Sequence, residues 1–501
     1  MFALLRRMLF GAPLSSALMN KEKLPRHLAL PVFGSDNISS IAYATEEMLL
    51  VLVVLGSMAW VFSIPVALGI VALLAVVVMS YRLTILSYPE SSGAYSVTRE
   101  NLGKIPSLIA ASSILFDYVL VVAVSISAGV AAIVSAFPSL AEDKSLLAIA
   151  AVAVVALVNL RGLKESGYTF AVLIYPFIIS MFITIAVGLY KVFTGSAIPK
   201  EISDNAYQAV NYSGLVLPFL IVRAFAGGCV AMTGIEAMAN GTSAFKEPKS
   251  KNAASTLVWM AGIVSVLFIG ITYLAKAYQI MPNDGETVIS QIVSSVFEKN
   301  AFYYFVQFST FIILLVAANT AFADFPRLAS ILAKDRYAPK QLKSLGDKLV
   351  FNNGILVLAG FAIAFILIFG VNTHKLIPFY AIGVFITFTL SQLSMFVRLK
   401  KTKPANWKLL SILSGAGTII TFAVVLIVSI TKFMEGSYIA LIAIAVLVYM
   451  FLRIKQHYIE LGDQLRIKDI EVAKPIKSTA IVLIAGIHRG SQRALNYAKT
   501  L

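Results

Sequence analysis

The sequence predicts an all-α membrane protein of twelve spans, and three observations carry that prediction. Of 501 residues, 59% are hydrophobic and only 13% charged, with a mean hydropathy of +0.85; soluble chains average about 25% charged residues. The apolar residues gather into stretches long enough to cross a bilayer, centred near residues 42, 71, 122, 153, 180, 229, 266, 316, 361, 386, 420 and 445. Two of these, the first and the sixth, are interrupted by polar residues or glycines, and each interruption holds a carboxylate.

Composition also excludes classes. Cys229 stands alone, so no disulfide framework or Cys-rich metal site is expected. His27, His374, His457 and His488 are too scattered for a metal cluster. The net charge of +16 sits in short loops between apolar spans. That pattern is membrane topology, and no nucleic-acid partner is expected. No phosphate-cradling loop or catalytic constellation is present, which predicts neither an enzyme nor a cofactor. Met1 to Phe10, with Arg6 and Arg7 mid-run and no small-x-small cleavage site behind it, reads as a short interfacial helix.

In chain order, residues 1–27 read as an N-terminal arm, 28–455 as the membrane domain and 456–501 as a linker with the start of another domain. The first span begins at Leu28, and its middle, from Gly34 to Glu47, is polar. Non-helical backbone at membrane depth is tolerated only where it is buried in protein or lines a cavity. An ionisable residue there is a functional-site candidate. A break is therefore expected near Ser35–Ser39, with Asp36 beside it. Freed carbonyls and a carboxylate would form the oxygen cage that a dehydrated alkali ion needs, although Asp is also a common helix cap. Tyr43 lies two turns on and offers a hydroxyl. Glu46 and Glu47 point about 100° apart and are read as structural.

The third span carries Asp117 between Ile114-Leu115-Phe116 and Val119-Leu120. It is either a site residue or the ion-pair partner of Arg223 or Lys276. Ser125 follows two turns later, though serine in a membrane helix often bonds its own backbone. The sixth span holds Gly227, Gly228, Gly234 and Gly241 with Thr233 and Glu236, predicting a break near Gly227–Gly234. Matching interruptions five spans apart point to inverted repeats with the site at the midplane. Glu236 is the candidate proton carrier, because burial and a nearby cation act on it in opposite senses. Tyr380, in the tenth span, would as a bare residue be core. Asp324, Arg327, Asp335 and Arg336, at the end of the eighth span, read as a charge network or gate.

Loop charge sets the orientation. Lys and Arg number 32 on the side bearing both termini, against 6 on the other. The positive-inside rule then puts both termini in the cytoplasm of a multi-pass cell-membrane protein. In the tail, Ser478 to Ala485 fits a buried strand, Gly486 and Gly490 a turn, and Ser491 to Thr500 a helix capped by Ser491. That is one β–α unit of a cytosolic α/β domain whose remainder would lie beyond this chain.

The loop Pro89-Glu90-Ser91-Ser92-Gly93-Ala94-Tyr95, the first-span polar segment and Thr233-Gly234-Ile235-Glu236 resemble the amino acid–polyamine–organocation transporter superfamily. Asp117-Tyr118 with Ala123 to Gly129, Asn159-Leu160-Arg161-Gly162-Leu163, Ala317-Ala318-Asn319-Thr320, Pro378 to Phe385 and Gly462-Asp463-Gln464-Leu465-Arg466 bring it closer to the KimA-type potassium importers of its potassium-uptake branch. The resemblance runs along nearly the whole chain. It implies a LeuT-like fold of five-plus-five inverted repeats, potassium uptake driven by protons, a homodimer in the lipid bilayer and regulation by cyclic di-AMP. The truncated tail is expected to lose or weaken that regulation. The implied ion ligands are Asp36, Tyr43, Asp117, Ser125, Thr233 and Tyr380, with potassium at Asp36 and Asp117 and proton coupling at Glu236. Two positions depart from the pattern: Val121 replaces a threonine oxygen, and Asn37 adds an oxygen where the family has alanine. A cationic amino acid or polyamine permease is the alternative, and a transport-dead membrane sensor is a third.

Overall fold

The computed structural model describes residues 23–89, 93–162, 167–199, 216–283, 285–346, 350–404, 406–466 and 489–499. All regular structure among them is helical apart from isolated bridges such as Leu24 with Phe245. The helices are α1 Arg26–Ser39, α2 Ile41–Leu52, α3 Ala59–Ser87, α4 Ala94–Leu102, α5 Lys104–Ala136 and α6 Lys144–Leu160. They continue with α7 Gly167–Phe193, α8 Val216–Gly228, α9 Ile235–Asn240, α10 Lys249–Ala277, α11 Val288–Phe297 and α12 Ala301–Lys334. The last are α13 Asn352–Phe369, α14 Thr373–Thr402, α15 Trp407–Thr431, α16 Tyr438–Gln464 and α17 Arg489–Ala498.

Among the described residues, eleven helices or joined helix pairs are long and apolar enough to cross a membrane. Each matches an expected span. The stretch centred near 153 forms α6, which at 17 residues falls just short of that length. The chain is thus a multi-pass membrane protein whose described residues are built of helices. Two short helices, α4 and α11, stand where only loops were expected. Gly103, at φ +89, makes the sharp turn between α4 and α5, a region open to glycine and costly for other residues. The interfacial helix expected at Met1–Phe10 and the strand expected at Ser478–Ala485 lie outside the described residues. So does most of the Pro89–Gly93 loop. In the tail, Ser491 lies inside α17 and does not cap it.

By its contacts the chain divides at 455/456. In the first unit, α5 is the central post, with 26 of its 33 residues buried. Small residues let its neighbours close in. A Cβ on Gly383 of α14 would stand 3.2 Å from the Ser113 carbonyl and 3.6 Å from Asp117 Cβ, and one on Gly129 would stand 3.2 Å from Phe311 of α12. Interiors packed this closely feel even one added methyl group.

The two interruptions differ. The sixth span breaks as expected. It narrows to a 3₁₀ turn at Cys229–Met232, becomes extended at Thr233 and reverses hand at Gly234, φ +82, before α9 starts. The first span does not open at Ser35–Ser39, which is helical throughout. Only a turn at Ser40 separates α1 from α2, and Ser40 itself keeps right-handed helical dihedrals. The Ser39 hydroxyl donates to the Asp36 carbonyl at 2.8 Å and that of Ser40 to the Asn37 carbonyl at 2.6 Å, while the Ser40 N–H reaches the Asp36 carbonyl at 3.2 Å. The carbonyls that a break would have freed are therefore in use.

Candidate ion-binding site

Asp36, at the end of α1, lies against the break in the sixth span. A Cβ on Gly234 would stand 2.6 Å from the Asn37 nitrogen and 2.8 Å from Asp36 Oδ2, so only glycine admits this approach. Asn37 spans the gap: its Nδ2 donates to the carbonyls of Ala231 at 3.0 Å and Thr233 at 2.8 Å. The Ser40 hydroxyl adds a weaker bond to Ala231, at 3.3 Å. Farther along, Gly227 and Gly228 let α8 ride on the backbone of Glu47 and Met48; a Cβ at Gly227 would be 3.0 Å from the Glu47 carbonyl. Ser35 ties α1 to α12 through Thr320 at 3.0 Å.

Around this junction the chain gathers Asp36, Tyr43, Asp117, Thr233, Glu236 and Tyr380, all buried. Asp36, Asp117 and Glu236 interact electrostatically with one another, and Tyr43 and Tyr380 with the two aspartates. Ser125 is equally buried, two turns along α5 from Asp117. The pairing considered for Asp117 is absent, since Arg223 bonds Glu435 instead, and no described ion pair reaches Asp117. Five buried oxygens of this group have no hydrogen-bond partner: Asp36 Oδ1, Asn37 Oδ1, Asp117 Oδ1, Ser125 Oγ and Glu236 Oε2, while the hydroxyls of Tyr43, Thr233 and Tyr380 lie within reach of one another. The Thr233 hydroxyl donates to Val230 at 2.8 Å, leaving its lone pairs. Val121 is buried beside them and adds no oxygen.

Buried polar atoms are ordinarily satisfied, and buried carboxylates need a cation or a proton. Every donor in this set is a hard oxygen, which suits an alkali ion. Among the described residues no three His, Cys, Asp or Glu side chains converge enough to hold a metal together, so hydroxyl oxygens must share the task.

Each end of the bundle closes differently. Where α4 meets α12, Asp335 accepts from Arg99 and, at 2.7 Å, from the Tyr95 hydroxyl. Burial and that carboxylate push the Tyr95 phenol up. Arg327 reaches the Asn240 carbonyl at 3.4 Å, and Asn240 donates to the Tyr118 hydroxyl at 2.9 Å. Tyr95, Tyr118, Asn240 and Arg327 line a cavity of about 70 Å³ that Asp324 also borders. The gate-like network expected at Asp324–Arg336 is thus drawn into α4 and α9.

At the opposite end the surroundings of Glu46 and Glu47 were not foreseen. His374, at the start of α14, holds Glu47 Oε1 at 2.5 Å through Nδ1 and Glu46 Oε1 at 3.3 Å through Nε2. Glu47 Oε2 meets Lys432 at 3.7 Å, and Glu46 Oε2 accepts the Val288 N–H at 3.0 Å. A cavity of about 30 Å³ lies here, lined among others by Glu46, His374, Thr287, Thr310 and Tyr43. The adjacent polar pair Glu46-Glu47 was the only sequence signal.

Residues 31–452 match the family model described as amino acid permease, and the chain belongs to that family. It is 43% identical, over its whole length and 82% of the other protein, to the potassium transporter KimA of Bacillus subtilis strain 168. A crystal structure of the Eremococcus coleocola manganese transporter, bound to an aromatic bis-isothiourea substituted compound, aligns with 90% of this chain and 99% of that one at 13% identity and TM-score 0.46.

Proposed function

We propose that this protein is a secondary active potassium importer of the cell membrane, in which potassium uptake is coupled to proton entry. The observation behind this reading is the set of buried, unpartnered oxygens around Asp36 and Asp117. Carboxylates held there without a basic side chain call for a small cation or a proton, and those are the two species a proton-coupled cation symporter moves. The name of the Bacillus relative supplies the ion. Asp36 and Asp117 hold the potassium, with Tyr43, Ser125, Thr233 and Tyr380 contributing neutral oxygens. Glu236 carries the proton. The frame is a twelve-span, five-plus-five inverted repeat, assembled as a homodimer with both termini cytoplasmic as the loop charges predict.

A cationic amino acid or polyamine would meet the same carboxylates, and the family model bears an amino acid permease name. An amino acid's own carboxylate needs bare N–H groups at the first break. Here the Ser40 N–H is already bonded to Asp36, which favours the inorganic ion.

Rubidium uptake into proteoliposomes under an imposed pH gradient tests the proposal. It should be competed by potassium and not by lysine or spermidine; competition by either organic cation would transfer the site to that substrate. Glu236→Gln should still bind the ion but lose accumulation driven by the pH gradient, and undiminished accumulation would remove Glu236 as the carrier.

A further inference from the structure

The cluster of Glu46, Glu47, His374 and Lys432 has no part in the central site, yet three of its four members are almost fully buried. Side-chain exposure is 6% for Glu46, 3% for Glu47 and 5% for Lys432, against 36% for His374. The histidine therefore caps the other three at the solvent side. Both ring nitrogens face carboxylate oxygens. Carboxylates only accept, and a neutral imidazole has a single N–H. The contacts at 2.5 and 3.3 Å can both be hydrogen bonds only if the ring is doubly protonated. The set is then neutral, two carboxylates against two cations. Other charges at this end are committed or lie outside the cluster: Glu435 bonds Arg223, Glu286 bonds Ser290 and faces Lys299, and Lys375 follows His374 on its own helix.

The cluster joins elements that are distant in the chain. Glu46 and Glu47 belong to α2, His374 to the first turn of α14, and Lys432 to the end of α15. Asn372 fixes that first turn by accepting the Lys375 N–H at 3.2 Å. Beneath His374 lies the small cavity, and Tyr43 lines it, its buried hydroxyl turned toward Thr233 and Tyr380 of the central site. Tyr43 also borders the central aspartates. Whatever loosens His374 from α2 therefore clears the way to the site.

We infer that His374 is the positioning residue of the outer gate: its doubly protonated ring pins α2 to α14, and loss of one ring proton to external water releases the pin and opens the cavity above Tyr43. The inference rests on the importer reading for which end is external. The proton leaves from Nδ1 or Nε2, both carboxylates stay ionised, and the cluster is left with one net negative charge. A vestibule so charged draws cations in. Opening is linked to proton release. Above about pH 6.5, the ordinary value for imidazole, each unit should favour the open form by up to about tenfold. Below it the ring is charged in both forms and the balance no longer moves.

The test is thiol labelling in the reconstituted full chain. Ala132, which lines the cavity, is changed to cysteine in a Cys229→Ala background and labelled with a charged, membrane-impermeant methanethiosulfonate reagent. The rate is compared with that of the same chain carrying His374→Gln, so the thiol's own pH dependence cancels. The Gln-to-His rate ratio should be large at about pH 6 and fall by up to about tenfold per unit above about 6.5. His374→Lys, which stays charged, should label slowly throughout. A ratio that does not change with pH, or a lysine variant that labels as fast as the glutamine one, would overturn the inference. Should His374→Gln not fold, the lysine variant against the parent still decides: their rates must diverge as pH rises. Labelling does not need transport, so absent rubidium uptake would sink the importer reading and leave this result standing.

Discussion

The first and sixth spans carry matching polar signatures and fold in opposite ways. In the sixth, Thr233 becomes extended and Gly234 takes a left-handed conformation, so the helix stops and restarts. In the first, Ser39 and Ser40 return their hydroxyls to the carbonyls one turn back, and the helix hardly falters. Glycine opens a helix because it has no Cβ to forbid the turn. Serine can close one because its own hydroxyl replaces the missing partner. The consequence falls on the site: the broken span supplies irregular backbone, and the continuous one supplies Asp36 and the Asn37 amide that holds the two together.

Substitutions can break or sharpen that contrast. The largest effect is expected from Asp36→Asn, which keeps the shape and removes the charge that compensates an ion for its lost water. Rubidium uptake should drop to background while gel filtration stays unchanged; undiminished uptake would overturn the site. Gly234→Ala should come next. At φ +82, with Asp36 Oδ2 at 2.8 Å from the added methyl, the left-handed backbone and the overlap together should cost roughly 3 kcal/mol, read as a lower midpoint in thermal unfolding. Asn37→Leu leaves the Thr233 carbonyl without its donor and should cost about 2 kcal/mol; equal stability would mean that the amide is no strut. Ser40→Ala should be the smallest, about 1 kcal/mol, because the backbone bond from its N–H to Asp36 remains.

Much of this arrangement was legible beforehand. Every expected apolar span is helical, since a run of twenty apolar residues leaves the backbone little choice in lipid. The Gly234 break was legible because glycine states its conformational freedom locally. The fate of Ser39 and Ser40 was not: a hydroxyl that breaks a helix and one that mends it look alike in sequence. Helices α4 and α11 were missed because they are 9 and 10 residues long, too short for a hydropathy signal. The least legible feature was the His374 cluster, whose partners lie 327 positions apart and can be joined only by the fold. The alternative that Asp117 pairs with Arg223 could not be dismissed from sequence for the same reason, since only the fold brings Glu435 to Arg223.

The Asn37 amide and the Gly227–Gly228 seam hold the two signature helices together at two heights. A body riveted at two heights cannot hinge between the rivets. α1–α2 and α8–α9 then travel as a single lever, and any rocking that exposes Asp36 first to one side of the membrane and then to the other must slide this lever over the helices it packs against, α12, α7 and α10 foremost. A chemical tether between Asn37 and the sixth span would leave such an engine running. One driven between α2 and α14 would stall it.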